Sequence, residues 1–415
     1  MPCGRRFLLQ RDRKNLDALS YQSLHIRGWT NGRIRIGLED HAAERREDHV
    51  ALATVTGDFD LSIPLREPGR LMDLRQLTAL VLLSEDKQAR VVLDQVDFVQ
   101  AGTAPSKPPA MGFWVWDYRK TIVDPEAVFA ACHREACTRI LVQMPAPTDP
   151  EPVWASYAAM FTLARRRGIE AVALDGYPEA IQEPQVLADK ILRLLALVDA
   201  ASLAGVQLDI EPYLLPGFFA DQSGPERYLA AIDRLRAAVG GRTRLSMVVP
   251  FWFTSKMFGG RPLAYAVMER VDEVAVMSYR TDTDELQAIA EETLRYGDLI
   301  GTPVWLAVET TALPVERRVI LRREPRAELA DAILDYDGRR LIFGSVTRSA
   351  ANGSRREGFR VYHRVTVRPE LVTYFGRSRK EVSSSVKQIT ARTAHRSFAG
   401  VLVHDLNGFL ALPEP

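Results

Sequence analysis

Eight residues, Gly205-Val206-Gln207-Leu208-Asp209-Ile210-Glu211-Pro212, carry the sharpest chemical signal in the chain. Strict alternation puts Gln207, Asp209 and Glu211 on one face of an extended segment, and Val206, Leu208 and Ile210 on the other. Two ionised carboxylates held together repel, so their proton affinities split and one becomes able to act as an acid. Other short apolar segments also end on polar groups: Asp117, Asp175, Tyr279 with Arg280, Glu309, and His404 with Asp405. Trp114, Trp116, Trp252 and Trp305 lie near such ends and offer flat faces for a ligand, or else core packing.

Converging these groups requires a scaffold, and the last three hundred residues supply one. Eight short apolar strands are predicted at Gly112–Asp117, Arg139–Met144, Glu170–Asp175, Gly205–Glu211, Arg244–Pro250, Glu273–Tyr279, Pro303–Glu309 and Gly400–His404. Helix-period segments such as Pro125–Glu135, Trp154–Arg167, Gln185–Asp199, Pro225–Val239 and Leu263–Val271 connect them. Repeated β-α units predict a parallel sheet covered by helices, and eight of them fit an α/β fold closed as a (β/α)8 TIM barrel. No G-x-G-x-x-G or Walker loop follows the first strand, which disfavours a nucleotide-binding open sheet. In such a barrel the site is built from the strands' C-terminal ends, where the acids named above lie. The rhythm breaks between the seventh strand and a last helix at about Ser378–Ala394. A β-rich insertion at about 311–376, with strand-like pieces Arg340–Gly344 and Gly358–Val367 and a mobile-looking tip at Ala351–Arg356, is expected over the barrel mouth.

The first hundred residues read differently. Ser23–Trp29, Arg33–Glu39, Val50–Val55, Asp60–Pro64, Leu77–Leu83 and Arg90–Val99 are six candidate strands, with turn residues at Thr30-Asn31-Gly32 and Thr56-Gly57-Asp58. Six strands without helices predict a small β-sandwich over residues 1–100. The Pro-rich stretch 101–110 then reads as a linker, and the barrel as residues 111–415.

Composition narrows the function classes. Lys+Arg number 54 against 53 Asp+Glu, and a net charge of +1 leaves no global field to hold a nucleic acid. Only eight of these cations are Lys, and the arginines read as scattered among acids. No run of about 18 apolar residues predicts a membrane span, and Phe7-Leu8-Leu9 is too short for a signal-peptide core. Three cysteines exclude a disulfide scaffold. Cys132 and Cys137 flank His133 on a predicted helix, where a five-residue step rotates them apart, so they read as buried or idle thiols. No spacing specifies a metal site, and no cofactor is expected.

Two resemblances sharpen these readings. Phe59–Leu65, Met72-Asp73-Leu74, Leu77–Leu83 and Val91–Phe98 resemble the closing strands of carbohydrate-binding jelly-roll modules, with further strands missing before Tyr21. Leu203–Pro212 resembles the fourth strand of family 18 chitinase-like glycoside hydrolases, whose D-x-x-D-x-D-x-E run ends in the acid catalyst. Asp209 and Glu211 match its last two acids, while Ala204 and Gln207 replace the first two. Met277-Ser278-Tyr279 matches that family's Met-x-Tyr, with Arg280 where an Asp is usual. Ala399–His404 resembles its final strand, with His404 in place of a Trp.

The resemblance implies a polysaccharide-directed glycosidase, possible work on an exopolysaccharide, and a periplasmic or secreted location. In that family the substrate's N-acetyl group is the nucleophile, assisted by the D-x-E pair and oriented by the Tyr. Ile210-Glu211-Pro212 is also similar to the Asn-Glu-Pro of retaining clan A glycosidases, which would make Glu309 the nucleophile. Expected roles follow: Glu211 as general acid/base, Asp209 as its electrostatic partner, Glu309 as nucleophile or subsite ligand, and Tyr279 as a hydrogen-bonding group for the reacting sugar. Trp116, Trp252 and Trp305 are candidate stacking residues, and Asp117, Asp175, Arg280 and His404 are candidates for the cavity floor. The altered acid run also fits a barrel that binds polysaccharide without hydrolysing it. A metal-dependent aldolase or hydrolase is a third reading.

Overall fold

The computed structural model describes residues 5–9, 15–41, 49–84, 86, 88–100, 102, 105, 108–335, 340–343 and 356–414. Among these residues, eight parallel strands close into a barrel: Ala110–Val115, Arg139–Gln143, Glu170–Asp175, Gly205–Leu208, Leu245–Pro250, Glu273–Met277, Val304–Glu309 and Phe398–His404. Each neighbours its sequential successor, and the eighth pairs with the first. Every expected barrel strand is present, because each is a short apolar run bracketed by residues that start or stop helices.

Alternation along each strand makes two separate cores. Outward-facing residues such as Phe113, Val142, Val206, Val249, Val276 and Val308 pack beneath the helices. Inward-facing residues fill the lumen in layers that include Trp114, Leu141, Leu174, Val248, Trp305 and Leu402. The lower end of the barrel is plugged by charge. Arg139 and Glu273, both nearly inaccessible and each the first residue of its strand, form a buried ion pair, and the Arg139 guanidinium lies 4.6 Å from the Trp305 ring centroid.

The N-terminal residues build an antiparallel sheet, but not from six strands. Tyr21–Asp40 is one 20-residue strand and Val50–Pro64 one of 15 residues. Both run straight through the segments expected to turn. Thr30 pairs with Gly57, and the register only shifts between Thr30 and Ile34, so the turn-like residues serve as a bulge within a long ribbon. Val91–Gln100 pairs with the first half of the long strand, and Leu77–Ser84 with the second half. Leu24 and Ile26 of one half share a core with Ile34, Ile36 and Leu38 of the other.

This small domain is fastened to the barrel helix Thr283–Ile300. Arg75 holds Asp73 of its own domain and Glu292 of that helix (2.7 and 2.6 Å), while Arg295 holds Asp17. Gly69 has no room for a side chain, since a Cβ there would lie 2.6 Å from Leu299 Cδ2. Of the expected linker, residues 101, 103, 104, 106 and 107 lie outside the described residues.

The insertion is a four-stranded antiparallel sheet in the order Glu316–Arg323, Arg356–Val367, Ala332–Asp335, Arg340–Phe343. Both of its feet are tied to the end of the seventh barrel strand: Thr373 bridges to Glu309, and Tyr374 N–H donates to the Glu309 carbonyl at 2.8 Å. Residues 351–355 of the expected tip, and Gly344 of an expected strand, lie outside the described residues. The last helix, Arg379–Arg392, opens on a capping box between Ser378 and Glu381.

The cysteine expectation is corrected. Cys132 and Cys137 form a disulfide, with Cα atoms 4.7 Å apart. The helix ends at Arg134, and Ala136 takes a left-handed conformation (φ +54°) that turns the chain back on itself. Helical rotation therefore no longer applies at Cys137. Replacing both cysteines with Ala should cost about 2 kcal/mol of stability by the loop-closure relation, read as a lower urea midpoint, and reductant should have no further effect on the variant.

Candidate active site

The phase of each strand decides which polar residue enters the lumen. Gly205, Gln207, Asp209 and Glu211 share a phase, and Gln207 is fixed in the interior by accepting from Trp114 Nε1–H (2.5 Å) and donating to Ser246 Oγ (3.0 Å). Asp209 and Glu211 therefore stand above that polar layer. Trp116 follows Trp114, Tyr279 follows Ala275 and Met277, Glu309 follows Trp305 and Ala307, and His404 follows Leu402, all in the inward phase. Six side chains, Trp116, Asp209, Glu211, Tyr279, Glu309 and His404, thus gather at the C-terminal mouth.

Asp209 is brought in by close backbone contact. Its N–H donates to the Asp175 carbonyl at 2.8 Å, and a Cβ on Gly176 would fall 2.1 Å from the Asp209 oxygen, so only glycine lets the third and fourth strand ends meet this closely. Asp209 Oδ1 is buried with no hydrogen-bond partner. Burial, and then the charge of Glu211, push its pKa up to about 7, against a smaller opposing effect of His404. Glu211 is partly buried and accepts a hydrogen bond from the Tyr213 hydroxyl through Oε1. Burial and the Glu211 charge keep that phenol neutral. Tyr279 is likewise held neutral, first by burial and then by Glu309, Asp209 and Glu211.

Opposite the acid pair runs a carboxylate–imidazole–indole chain. Glu309 Oε1 accepts from Thr310 N–H (2.8 Å), Thr311 N–H (2.6 Å) and the Thr311 hydroxyl (2.7 Å), while Oε2 lies 2.7 Å from His404 Nδ1. Trp116 Nε1–H donates to His404 Nε2 at 2.8 Å. An indole nitrogen can only donate, so Nε2 accepts and the ring proton sits on Nδ1, toward Glu309. Burial disfavours charge on this ring, yet Glu309 outweighs it and raises the imidazole's pKa. Protonating Nε2 would break the indole bond, so this geometry holds the neutral tautomer.

The remaining candidates go elsewhere, and phase explains most of them. Asp117, Asp175 and Arg280 fall in the outward phase. Asp117 caps the helix Tyr118–Val123 and pairs with Lys120 at 3.0 Å. Asp175 is buried against Lys190 of the helix Pro184–Leu197. Arg280 lies over Phe251 and 3.7 Å from Glu285. Trp305 points inward but sits in the bottom layer with Arg139, too deep to stack on a ligand at the mouth. Trp252 does reach the rim, edge-on to Tyr213 with centroids 4.9 Å apart. Sequence reading missed Tyr213, Thr311, Gly176 and Lys190. Only Tyr213 left a signal, two residues beyond Glu211.

Fold and site together define a closed (β/α)8 barrel with a coupled Asp-x-Glu pair at its C-terminal mouth. No family profile matches the sequence, and neither does any curated protein. Among solved structures, the chain is similar to the spore cortex-lytic enzyme SleL of Bacillus cereus, at 11% identity over 80% of this chain and 77% of that one, with a TM-score of 0.39. A class V chitinase from Nicotiana tobaccum aligns at 11% identity over 72% and 94% of the two chains (TM-score 0.39). A chitinase from Bacteroides thetaiotaomicron aligns at 13% over 73% and 91% (TM-score 0.39). Among the described residues, no helix is long and apolar enough to cross a membrane, and no three His, Cys, Asp or Glu side chains gather to hold a metal.

Two measurements test this placement. A carboxylate whose pKa is raised in the folded state favours folding while protonated, below about pH 4, and loses that advantage as pH rises through about 7. Asp209→Asn should therefore raise the melting temperature little at pH 4 and progressively more toward pH 8; a pH-independent change would place Asp209 outside the buried pair. Lys190→Met should cost about 3–5 kcal/mol by stranding Asp175, and Asp175→Leu added to it should recover part of that loss.

Proposed function

We propose that this protein is a glycoside hydrolase acting on a polysaccharide, with Glu211 as the general acid/base. The observation that carries the reading is the coupling of Asp209 and Glu211 on one strand face. A buried carboxylate with a pKa of about 7 beside a partly buried, hydrogen-bonded one is the split that acid–base hydrolysis needs at neutral pH. Tyr213 engages Glu211 Oε1, and Oε2 carries no hydrogen bond among the described residues, so Oε2 is the atom that would pass a proton to the glycosidic oxygen. The pair retains one proton near neutrality; when that proton lies on Glu211 it passes from Oε2 to the glycosidic oxygen, which leaves both carboxylates ionised and ready to take a proton back.

The resemblance to family 18 gives Asp209 the task of assisting a nucleophilic group on the substrate itself, with Tyr279 orienting that group. The surroundings of Glu309 support this over an enzyme nucleophile. Four donors already hold its carboxylate, and a nucleophile needs a lone pair aimed at the substrate. Glu309 is better suited to orienting His404, which would form part of the subsite wall with Trp116, while Trp252 stands at the rim. The Cys132–Cys137 disulfide fits work in an oxidising compartment, in keeping with a periplasmic or secreted location.

Glu211→Gln tests the reading on a panel of soluble glycans. It should lower kcat by about 10²–10⁴-fold with little change in glycan affinity. Binding by the wild type without turnover of any glycan would instead make this a polysaccharide-binding barrel, the reading that the replaced acids Ala204 and Gln207 support. Activity lost on chelation would overturn both.

A further inference from the structure

Charge that the chain balances as a whole is concentrated in the insertion. Residues 311–376 hold thirteen arginines and eight carboxylates, so the rest of the chain is acidic in excess. Several of these arginines are matched: Arg318 by Glu316, Arg323 by Glu357, Arg326 by Glu324, Arg356 by Asp335 and Arg368 by Glu370. Arg322 and Arg360 are not; among the described residues, no carboxylate lies within ion-pair distance of either.

These two arginines are direct cross-strand partners, so they project from the same face of the sheet. Like charges placed opposite each other weaken a ladder, and nothing in the sheet's own packing offsets this pair. Ile320 and His363 form the adjoining pair on that face. Tyr362 is the residue left over where the register shifts; it is 71% exposed, with the Arg322 guanidinium 6.0 Å from its ring centroid. A solvent-facing ring flanked by unmatched guanidinium groups can stack on a sugar while pairing with its carboxylate.

We infer that this face binds an anionic polysaccharide, a glycan whose sugars carry carboxylate groups. The inference deepens the glycosidase reading by giving its substrate a charge, and rests on that reading for the link to cleavage. A glycan is preferred over a nucleic acid because the sheet stands on the barrel whose mouth holds the acid pair. The sheet's feet are fixed beside Glu309 at the barrel mouth, and the Arg322–Arg360 pair lies further along the ladder from Glu316, at about 20 Å, a span that a polymer held on this face bridges.

Binding is measured on full-length Glu211→Gln protein, so that turnover does not enter, using polygalacturonate and its fully methyl-esterified form. The acid form should bind and the ester should not. Arg322→Ser with Arg360→Ser should weaken binding about fivefold, the effect of two exposed ion pairs, with a melting temperature that does not fall. Arg134→Ser with Arg166→Ser, which removes equal charge from exposed helix positions, should leave affinity unchanged. Equal binding of acid and ester, equal losses in the two double variants, or tighter binding of a DNA duplex than of polygalacturonate would each overturn the inference. Hydrolysis of a neutral glycan by the wild type without polygalacturonate binding would overturn it while leaving the glycosidase reading intact. Binding lost as expected in the first double variant, with no hydrolysis by the wild type, would uphold the anionic surface and remove only its link to cleavage.

Discussion

The repulsion between Asp209 and Glu211, felt in a lumen that excludes most water, is the interaction around which the rest of the mouth is arranged. In bulk water two carboxylates at this spacing would both ionise near pH 4. Here burial removes the solvation that ionisation needs, and the neighbouring charge raises the cost again, so one proton is retained near neutrality. The surrounding groups are compatible with that state. Tyr213 and Tyr279 are neutral, His404 Nε2 accepts from an indole, Lys190 is taken up by Asp175, and Arg280 lies beside Phe251 and Glu285.

The barrel distributes buried charge by height. At the bottom, Arg139 and Glu273 form a buried ion pair beneath Trp305 that closes the lumen. In the middle, Trp114, Gln207 and Ser246 satisfy one another without any charge. Among the described residues, the one carboxylate oxygen that is buried and unpartnered, Asp209 Oδ1, lies in the top layer. An unpaired carboxylate oxygen is costly inside a protein, so its place at the open end of the barrel marks a candidate site. A similar contrast appears in the insertion, where five arginines are matched by carboxylates and one directly facing pair is not.

The disulfide and the long N-terminal strands show where local rules gave way. Thr30-Asn31-Gly32 and Thr56-Gly57-Asp58 have the composition of tight turns, yet each lies opposite the other in a continuous ribbon, where the long cross-strand ladder outweighs turn preference. Helical spacing separated Cys132 from Cys137 only as long as the helix continued. One left-handed residue, Ala136, ended that premise.

Composition and short-range pattern were enough to establish the eight barrel strands, their order and the alternation of Gln207, Asp209 and Glu211, because these depend on which residues neighbour each other along the chain. The same alternation left Asp117, Asp175 and Arg280 as candidates for the cavity floor, because residue order does not say which phase of each strand points inward. That phase is absolute only in three dimensions, where Ala171 and Ala173 are seen under the helices and Val172 and Leu174 within the barrel. Tertiary structure alone decided the depth of Trp305, the pairing of Asp175 with Lys190, the contact of Gly176 with Asp209 and the chain from Glu309 through His404 to Trp116. Each joins residues far apart in sequence or differing only in height along the barrel axis, and the cost of burying a charge depends on what surrounds it in space, which residue order does not contain.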